Sequence, residues 1–226
     1  MNPHHHLHES TLISYAAGGL PAPLSIVAGV HLEQCPHCRR RLRDAEAIGS
    51  VLLEQTQPQP TDSDARRQAL REAMLARLDS ETPEVTASTV QAPPPPRPGA
   101  DPDHLPAALH PYFGTSISAL RWRWMGPGMY CIRAEQMPNL VMLKIAPGKC
   151  LPMHSHGGSE LTQILRGAYN DALGVFAAGD AADLDGEVEH QPVTAPGVPC
   201  ICVSALDAPL VFSGWLARKM QRFVKL

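Results

Sequence analysis

The chain has 226 residues, of which 44% are hydrophobic and 18% charged, so it is a globular protein long enough for two small domains. Its formal charge of −3 and isoelectric point near 6.4 provide no basic surface for phosphates, which argues against direct nucleic-acid binding. The 23 prolines exceed the usual share of about 5% and indicate a proline-rich linker. Because nucleic-acid binding is disfavoured, we expect the binding partner of this chain to be another protein.

The apolar stretch at 12–30 is long enough for a membrane span. Pro21 and Pro23 interrupt it and no lysine or arginine flanks it, so we expect two short helices, not a membrane span or a signal segment. The six cysteines show no disulfide framework, and two of them stand at metal-binding spacing. This pattern favours a reducing, cytoplasmic location.

Helical patterns dominate the first 80 residues. Three of them fill the stretch from 10 to about 54, and a fourth, amphipathic pattern covers 65–80. The apolar residues of the fourth pattern share one face: Leu70, Met74, Leu75 and Leu78. This stripe needs a partner, and a helix of this kind is suited to lying in a groove of another protein.

The remainder of the chain has the pattern of a linker followed by β-structure. Four consecutive prolines within 81–105 favour an extended, semi-rigid linker. From 106 to 226, short runs of β-formers alternate with Gly, Pro and Asp, which is typical of a β-sandwich or barrel. We expect tryptophans inward and arginines outward at 121–124, and a closing strand at 220–226. The predicted fold is thus two-domain: all-α at 1–80 and all-β at 106–226.

A histidine four residues before a CxxC pair is the most specific short motif in the helical region: His31, Cys35 and Cys38. Because Pro36 disfavours the helical conformation at Cys35, one helix should end near Gln34 and the next begin at Pro36. Zn²⁺ prefers four Cys and His ligands in tetrahedral geometry. A redox CxxC pair is the alternative, but no thioredoxin-like βαβ pattern surrounds it.

A fourth ligand is expected from an upstream histidine, because the first helix must be tied to the motif that follows it. The candidates are His4, His5, His6 and His8. His37 is a further candidate, disfavoured because its side chain would point away from the ion that the two cysteines share. A structural metal can supply much of the folding energy of so small a helical domain.

The β region contains a second metal-ligand pattern. Gly148 is followed by five residues, His154-Ser-His156, three residues, Glu160, six residues and Gly167, which resembles the first cupin motif at every fixed position. On a strand His154 and His156 point to the same face and would both enter the barrel.

The second cupin motif is weaker, and only its spacing is kept, with His190 eleven residues after Gly179. A site of His154, His156, Glu160 and His190 suits Zn²⁺, Fe²⁺, Mn²⁺ or Ni²⁺, and the residues do not choose among these metals. Clustered histidines and a glutamate at a barrel mouth have few uses other than metal binding.

The segments HHLHESTLISYAAGGL and HLEQCPHCRRRL resemble the ChrR family of anti-sigma factors, which join a zinc-binding anti-sigma domain to a cupin domain. The resemblance implies that His6, His31, Cys35 and Cys38 hold a structural zinc, with His5 as a substitute for His6. It also implies zinc in the cupin site and an extracytoplasmic-function sigma factor as the partner. The signal in such proteins is singlet oxygen or organic hydroperoxide, an oxidative stress.

A late cysteine pair also occurs in ChrR-like proteins, and Cys200 and Cys202 stand at the corresponding place. They are interpreted either as buried apolar residues, the reading that the residues favour, or as a redox pair. The rival function is a cupin dioxygenase or isomerase with a zinc-stapled accessory domain, since the same ligands serve such enzymes. The net negative charge of the chain disfavours a third class, a zinc-knuckle protein that binds nucleic acid. We predict a regulator that is not an enzyme.

Overall fold

The computed structural model describes residues 3–57, 63–80, 103–208 and 210–212. Within these ranges, the side chains of 64, 78–80, 156 and 210–212 are also left undescribed. Most of the predicted linker, the predicted strand at 220–226 and the side chain of His156 therefore lie outside the described residues.

Helices come first in the chain, as the sequence predicts. They are α1 (Glu9–Ala16), α2 (Ala22–Gln34), α3 (Pro36–Gln55) and α4 (Asp64–Ser80). Between α2 and α3, Cys35 is extended, with φ −104° and ψ 102°, because Pro36 disfavours the helical conformation at the residue before it. The helix boundary predicted at Pro36 is confirmed.

The apolar stretch at 12–30 is divided between α1 and α2, with a turn where the glycines and prolines stand. Gly18 has φ 67° and ends the first helix in the left-handed conformation that glycine tolerates best. In the part of the chain that the structure describes, no helix has both the length and the hydropathy that crossing a membrane would require.

A 3₁₀ turn at Ala107–Leu109 and a short helix α5 (His110–Phe113) precede the strands. In the described residues the strands are β1 (Arg123–Gly126), β2 (Met129–Ala134), β3 (Met137–Ile145), β4 (His154–His156), β5 (Glu160–Arg166), β6 (Ala168–Asp171), β7 (Gly174–Ala177), β8 (Ala181–Leu184), β9 (Glu189–His190), β10 (Val193–Thr194), β11 (Cys200–Leu206) and β12 (Leu210–Phe212). The predicted succession of short strands after the helices is confirmed.

The strands of the described residues form three antiparallel sheets. The largest has the order β1-β2-β3-β11-β5-β8, and the two smaller ones are β10-β6-β7 and β12-β4-β9. Side chains from all three sheets line one interior cavity, for example Leu143, Tyr169 and His154. Sheets that enclose one cavity agree with the β-sandwich or barrel that the strand spacing predicts.

The segment at 121–124 does not alternate as expected. Trp122 is half-buried, with Lys144 Nζ 5.8 Å from its ring centroid, but Trp124 is 68% exposed. Strand β1 begins only at Arg123, and its register with β2 shifts between Trp124 and Gly126. This irregularity breaks the period-two pattern, and the prediction that both tryptophans point inward is wrong.

The chain divides into two compact units. The first contains residues 1–49 together with 95–226, and within it α2 packs against β5, β11 and the 3₁₀ turn. Val27 on α2 and Val203 on β11 are both 0% exposed in one continuous core. Because α2 is apolar on nearly all sides, it is stable only when it is buried in this way. The predicted domain boundary after residue 80 stays a prediction.

The second unit contains residues 50–94. Its described part holds the end of α3 and all of α4, and large apolar side chains of both helices are at least 49% exposed. They are Val51, Leu52, Leu53, Leu70, Met74 and Leu75. Apolar residues that recur along one face of a helix normally pack against the protein core or against a partner.

Candidate metal centres

Four side chains converge where the first three helices meet, and we call them the helical cluster: His6, His31, Cys35 and Cys38. Their ligand atoms all lie within 4.8 Å of one another, and the last three residues are 0% exposed. The turn at Pro36 places Cys35 and Cys38 side by side, with Sγ of Cys35 accepting a hydrogen bond from the Cys38 backbone N–H. Two thiols and two imidazoles are the donor set of a tetrahedral structural zinc site.

His31 has one ring nitrogen available for a metal. Its Nδ1 lies 2.9 Å from Oε1 of Gln163, whereas its buried Nε2 has no hydrogen-bond partner among the described residues. Burial lowers the pKa of His31, and this effect outweighs the hydrogen bond that the ring donates to Gln163, which raises the pKa. The imidazole is therefore neutral at physiological pH, which is the form that binds a metal.

His6 is the upstream histidine that reaches the cysteines, with Nδ1 3.3 Å from Sγ of Cys35. Its ring also stacks on that of His37, with the ring centroids 4.4 Å apart. His5 lies elsewhere, stacked on Phe176 of the barrel with ring centroids 4.0 Å apart. The structure thus brings together the four residues that the resemblance implies and places the substitute, His5, outside the cluster.

The histidines of the cluster are in the form that binds a metal, whereas the Cys38 thiol must first lose its proton. Burial lowers the pKa of His6, and the neighbouring His37 lowers it further. Burial also raises the pKa of the Cys38 thiol, so without a cation this sulfur is protonated. Thiolates are the metal-binding form of cysteine, and metal binding at such a site releases the thiol protons.

Two carboxylates of the barrel hold the segment that carries the first histidine of the cluster. Asp180 Oδ1 accepts hydrogen bonds from the backbone N–H groups of His4 (2.6 Å) and His5 (3.0 Å), and Asp183 Oδ2 accepts one from His8 (2.9 Å). Although burial raises the pKa of Asp180, hydrogen bonds from backbone N–H groups outweigh it and leave this pKa below its ordinary value. The backbone on both sides of His6 is therefore held by strand β8 and the turn that precedes it.

A second group lies inside the barrel, and we call it the barrel cluster: His154, Glu160 and His190. Their ligand atoms also lie within 4.8 Å of one another. His154 on β4 and His190 on β9 are cross-strand partners, and their Nε2 atoms are 3.1 Å apart. Two imidazole nitrogens and a carboxylate converging on one point can hold a divalent cation.

The outer ring nitrogens of the barrel cluster have partners of their own. His154 Nδ1 lies 2.8 Å from the carbonyl oxygen of Pro152, and His190 Nδ1 lies 2.9 Å from Oδ2 of Asp171. Each ring therefore donates from Nδ1, which leaves Nε2 as the nitrogen that it can offer to a metal at the centre of the cluster. A carboxylate behind a metal-binding histidine fixes its tautomer and raises its basicity.

Of the predicted barrel ligands, His156 is the one whose side chain is not described. Its backbone belongs to β4, two residues after His154. Its role as a fourth ligand stays a prediction.

The barrel cluster lies in the wall of a cavity of about 530 Å³. Most of the cavity surface is apolar and comes from residues such as Met129, Val141, Leu143, Ile145 and Tyr169. A cluster in this position has open space on one side, as in metal sites that keep a coordination position for a small molecule.

Cys200 and Cys202 also line the cavity and are 1% and 5% exposed. A hydrogen bond between the two thiols lowers the pKa of Cys200 and raises that of Cys202. Their burial in an apolar lining fits the interpretation as core residues, and their common face on β11 fits the interpretation as a pair.

Gln163, Asp171 and Asp180 support the two clusters, and sequence reasoning did not single them out. Gln163 and His31 are 132 residues apart, and Asp180 and His4 are 176 apart. No local pattern indicates such pairs. Only Asp180 carried a signal, because it follows Gly179 at the start of the weak second cupin motif.

Comparison with known proteins identifies the family of this chain. Residues 113–208 match the family described as the ChrR Cupin-like domain. Over 227 residues the chain is 36% identical to the anti-sigma-E factor ChrR of Cereibacter sphaeroides, with 98% of each protein covered. The chain belongs to the ChrR family of anti-sigma factors.

A solved structure matches this ChrR-family chain over nearly its whole length. The crystal structure of Rhodobacter sphaeroides SigE in complex with the anti-sigma ChrR aligns with a TM-score of 0.69 and 31% identity. The alignment covers 92% of this chain and 100% of that chain. The predicted family and the predicted layout, N-terminal helices followed by a cupin-like barrel, are confirmed.

Proposed function

We propose that the chain is an anti-sigma factor that binds an extracytoplasmic-function sigma factor and keeps it from RNA polymerase. The observation that carries this proposal is the end-to-end match to ChrR, including a ChrR chain solved in complex with SigE. A partner that acts on RNA polymerase implies a cytoplasmic location. Family membership also favours a regulator over the cupin dioxygenase or isomerase alternative.

The exposed apolar residues of the second unit are the proposed sigma-binding surface. On α4, Leu70, Met74 and Leu75 are 52%, 67% and 49% exposed, and on α3, Leu52 and Leu53 are 60% and 76% exposed. Amphipathic helices commonly bind a partner by laying such a face into a groove. Covering this surface removes apolar area from water and thereby stabilises the complex.

A structural zinc is proposed at the helical cluster. The burial of its two thiols and of Nε2 of His31, which has no hydrogen-bond partner in the described part of the chain, supports this choice, since zinc favours these donors and structural zinc sites are closed by four protein ligands. In this role His6, His31, Cys35 and Cys38 join the ends of the first three helices. The cysteines would make the site sensitive to oxidation, because oxidised sulfur is lost as a ligand.

The barrel is proposed to receive the signal that releases the sigma factor. His154, His156, Glu160 and His190 are the proposed ligands, and zinc is the metal that the family resemblance implies. Singlet oxygen or organic hydroperoxide is the proposed signal. The open cavity beside the cluster supports access for a small molecule, and Cys200 and Cys202 are candidates for oxidation within it.

The proposal is tested by coexpressing the full chain with extracytoplasmic-function sigma factors of its own genome and purifying the complex. We expect one of them to copurify with the wild-type chain and to be lost with Leu75→Arg. Ala69→Arg is the matched control, because it adds the same charge to the opposite, exposed side of α4. Failure of every sigma factor to copurify with the wild-type chain would contradict the proposed function.

A further inference from the structure

Strand β5 carries one residue of the barrel cluster and one residue that contacts the helical cluster. Glu160 and Thr162 face the cavity, whereas Gln163, next along the strand, faces α2, as the alternation of a strand requires. Gln163 is 0% exposed, and so is His31, the helical-cluster residue that it contacts. A barrel side chain thus reaches a residue of the helical cluster in a region without water access.

The orientation of the Gln163 amide follows from its two hydrogen bonds. Its Nε2 donates to the carbonyl oxygen of Ile164 at 3.2 Å, so its Oε1 is the atom that meets His31 Nδ1 at 2.9 Å. An amide oxygen only accepts, so the ring nitrogen must carry the hydrogen. The other ring nitrogen, Nε2, then keeps its lone pair and lies buried with no hydrogen-bond partner among the described residues.

We propose that Gln163 is a positioning residue of the helical cluster, which holds His31 in the tautomer and orientation that present Nε2 to the metal. Histidine ligands commonly donate their second N–H to a group that fixes ring and tautomer, and here the barrel supplies that group. The proposal rests on the zinc site proposed above. It makes the helical cluster depend on the barrel for its geometry, although all four ligands come from the helical region.

The test compares the full-length wild-type chain with Gln163→Leu, which removes the acceptor, and Gln163→Glu, which restores one. Gln136→Leu is the matched control, because Gln136 is exposed in the turn between β2 and β3. The probe is Co²⁺, whose thiolate charge-transfer band reports cysteine ligation, and the Cys38→Ser variant assigns that band to the helical cluster. Competition with a chelator then gives the affinity.

We expect Gln163→Leu to weaken metal binding at the helical cluster by about 10–100-fold. Gln163→Glu should bind the metal at least as tightly as the wild type, because a carboxylate is a stronger acceptor for the Nδ1 hydrogen than an amide, and Gln136→Leu should keep the wild-type affinity. Equal affinity in Gln163→Leu and wild type would overturn the positioning role and leave the zinc site intact. Absence of the charge-transfer band from the wild-type chain would overturn the zinc site and, with it, this inference.

A second measurement does not need a folded variant. Nitrogen-15 correlation spectra of the zinc-loaded wild-type chain identify which ring nitrogen of His31 carries hydrogen. We expect a protonated Nδ1 and a metal-bound Nε2. A protonated Nε2 with Nδ1 bound to the metal would contradict the proposal.

Discussion

The helical cluster and the barrel cluster both use histidines as candidate metal ligands, but they differ in whether open space adjoins them. In the helical cluster, His31, Cys35 and Cys38 are 0% exposed and lie at the junctions of helices. The barrel cluster instead lies in the wall of a cavity of about 530 Å³. A closed set of four ligands suits a metal that stabilises structure, and a set beside open space suits a metal that meets a small molecule.

The two clusters also differ in what holds them. Barrel residues fix the helical cluster from outside, through Gln163 on His31 and through Asp180 on the segment that precedes α1. The barrel cluster is supported from within its own sheets, through Asp171 behind His190. This asymmetry gives the barrel a route by which it can influence the helical region.

Removing a helical-cluster ligand should have the largest effect. We expect Cys38→Ser to lose the zinc of this cluster and with it sigma binding, because a structural zinc supplies much of the folding energy of a small helical region. Elemental analysis and copurification of the sigma factor measure the two losses. Cys131→Ser, the same change at a cysteine outside both clusters, serves as the control. A Cys38→Ser chain that keeps its zinc and its partner would contradict the assignment.

Removing a barrel ligand should separate signalling from binding. We expect His154→Ala to lose about one equivalent of metal per chain while still binding the sigma factor, and to fail to release it when hydroperoxide is added. The control is His104→Ala, an exposed histidine outside both clusters. Unchanged metal content would rule out His154 as a ligand, and normal release would rule out the barrel as the receiver of the signal.

Removing the carboxylate behind His190 should weaken the barrel site without abolishing it. We expect Asp171→Asn to reduce metal affinity of the barrel cluster by about 10–100-fold, because an amide is a weaker acceptor for the Nδ1 hydrogen than a carboxylate. Chelator competition on the full chain measures the change. Asp185→Asn, whose side-chain oxygen can still accept from the Glu187 N–H, should have no effect. An equal loss of metal affinity in Asp171→Asn and Asp185→Asn would contradict the pairing of Asp171 with His190.

The smallest effect is expected at the carboxylate that holds the N-terminal segment. At neutral pH, Asp180→Asn should lower the free energy of unfolding by about 1–3 kcal/mol, since an amide cannot accept every N–H bond that the carboxylate accepts. The folded pKa of Asp180 lies below its ordinary value of 3.8. Its contribution is therefore complete above that value and is lost as pH falls through the folded pKa.

The pH dependence is measured by urea unfolding of chelator-treated protein, with Asp185→Asn as the control. We expect the stability difference between wild type and Asp180→Asn to shrink as the solution is acidified. A difference that grows on acidification would have the opposite sign and would contradict the role assigned to Asp180.

Local patterns in the sequence predicted much of this molecule. The spacing of His31, Cys35 and Cys38, and the effect of Pro36 on the residue before it, depend on neighbours along the chain. The run of short strands and the cupin-like spacing around His154 and Glu160 are local signals too.

The rest depends on contacts between distant parts of the chain. Gln163 meets His31 only because α2 packs on β5, and sequence periodicity contains no information on that pairing. Trp124 is exposed because β1 is irregular, a feature of strand register that alternation alone cannot show. The same long-range packing joins residues 1–49 to the barrel in one compact unit.

The most direct test of the anti-sigma role is transcription by RNA polymerase that has been reconstituted with the copurifying sigma factor. We predict that the full chain inhibits transcription from a promoter of that sigma factor, and that Leu75→Arg inhibits far less than Ala69→Arg. We also predict that transcription by the housekeeping holoenzyme is unaffected. Undiminished transcription in the presence of excess wild-type chain would contradict the account.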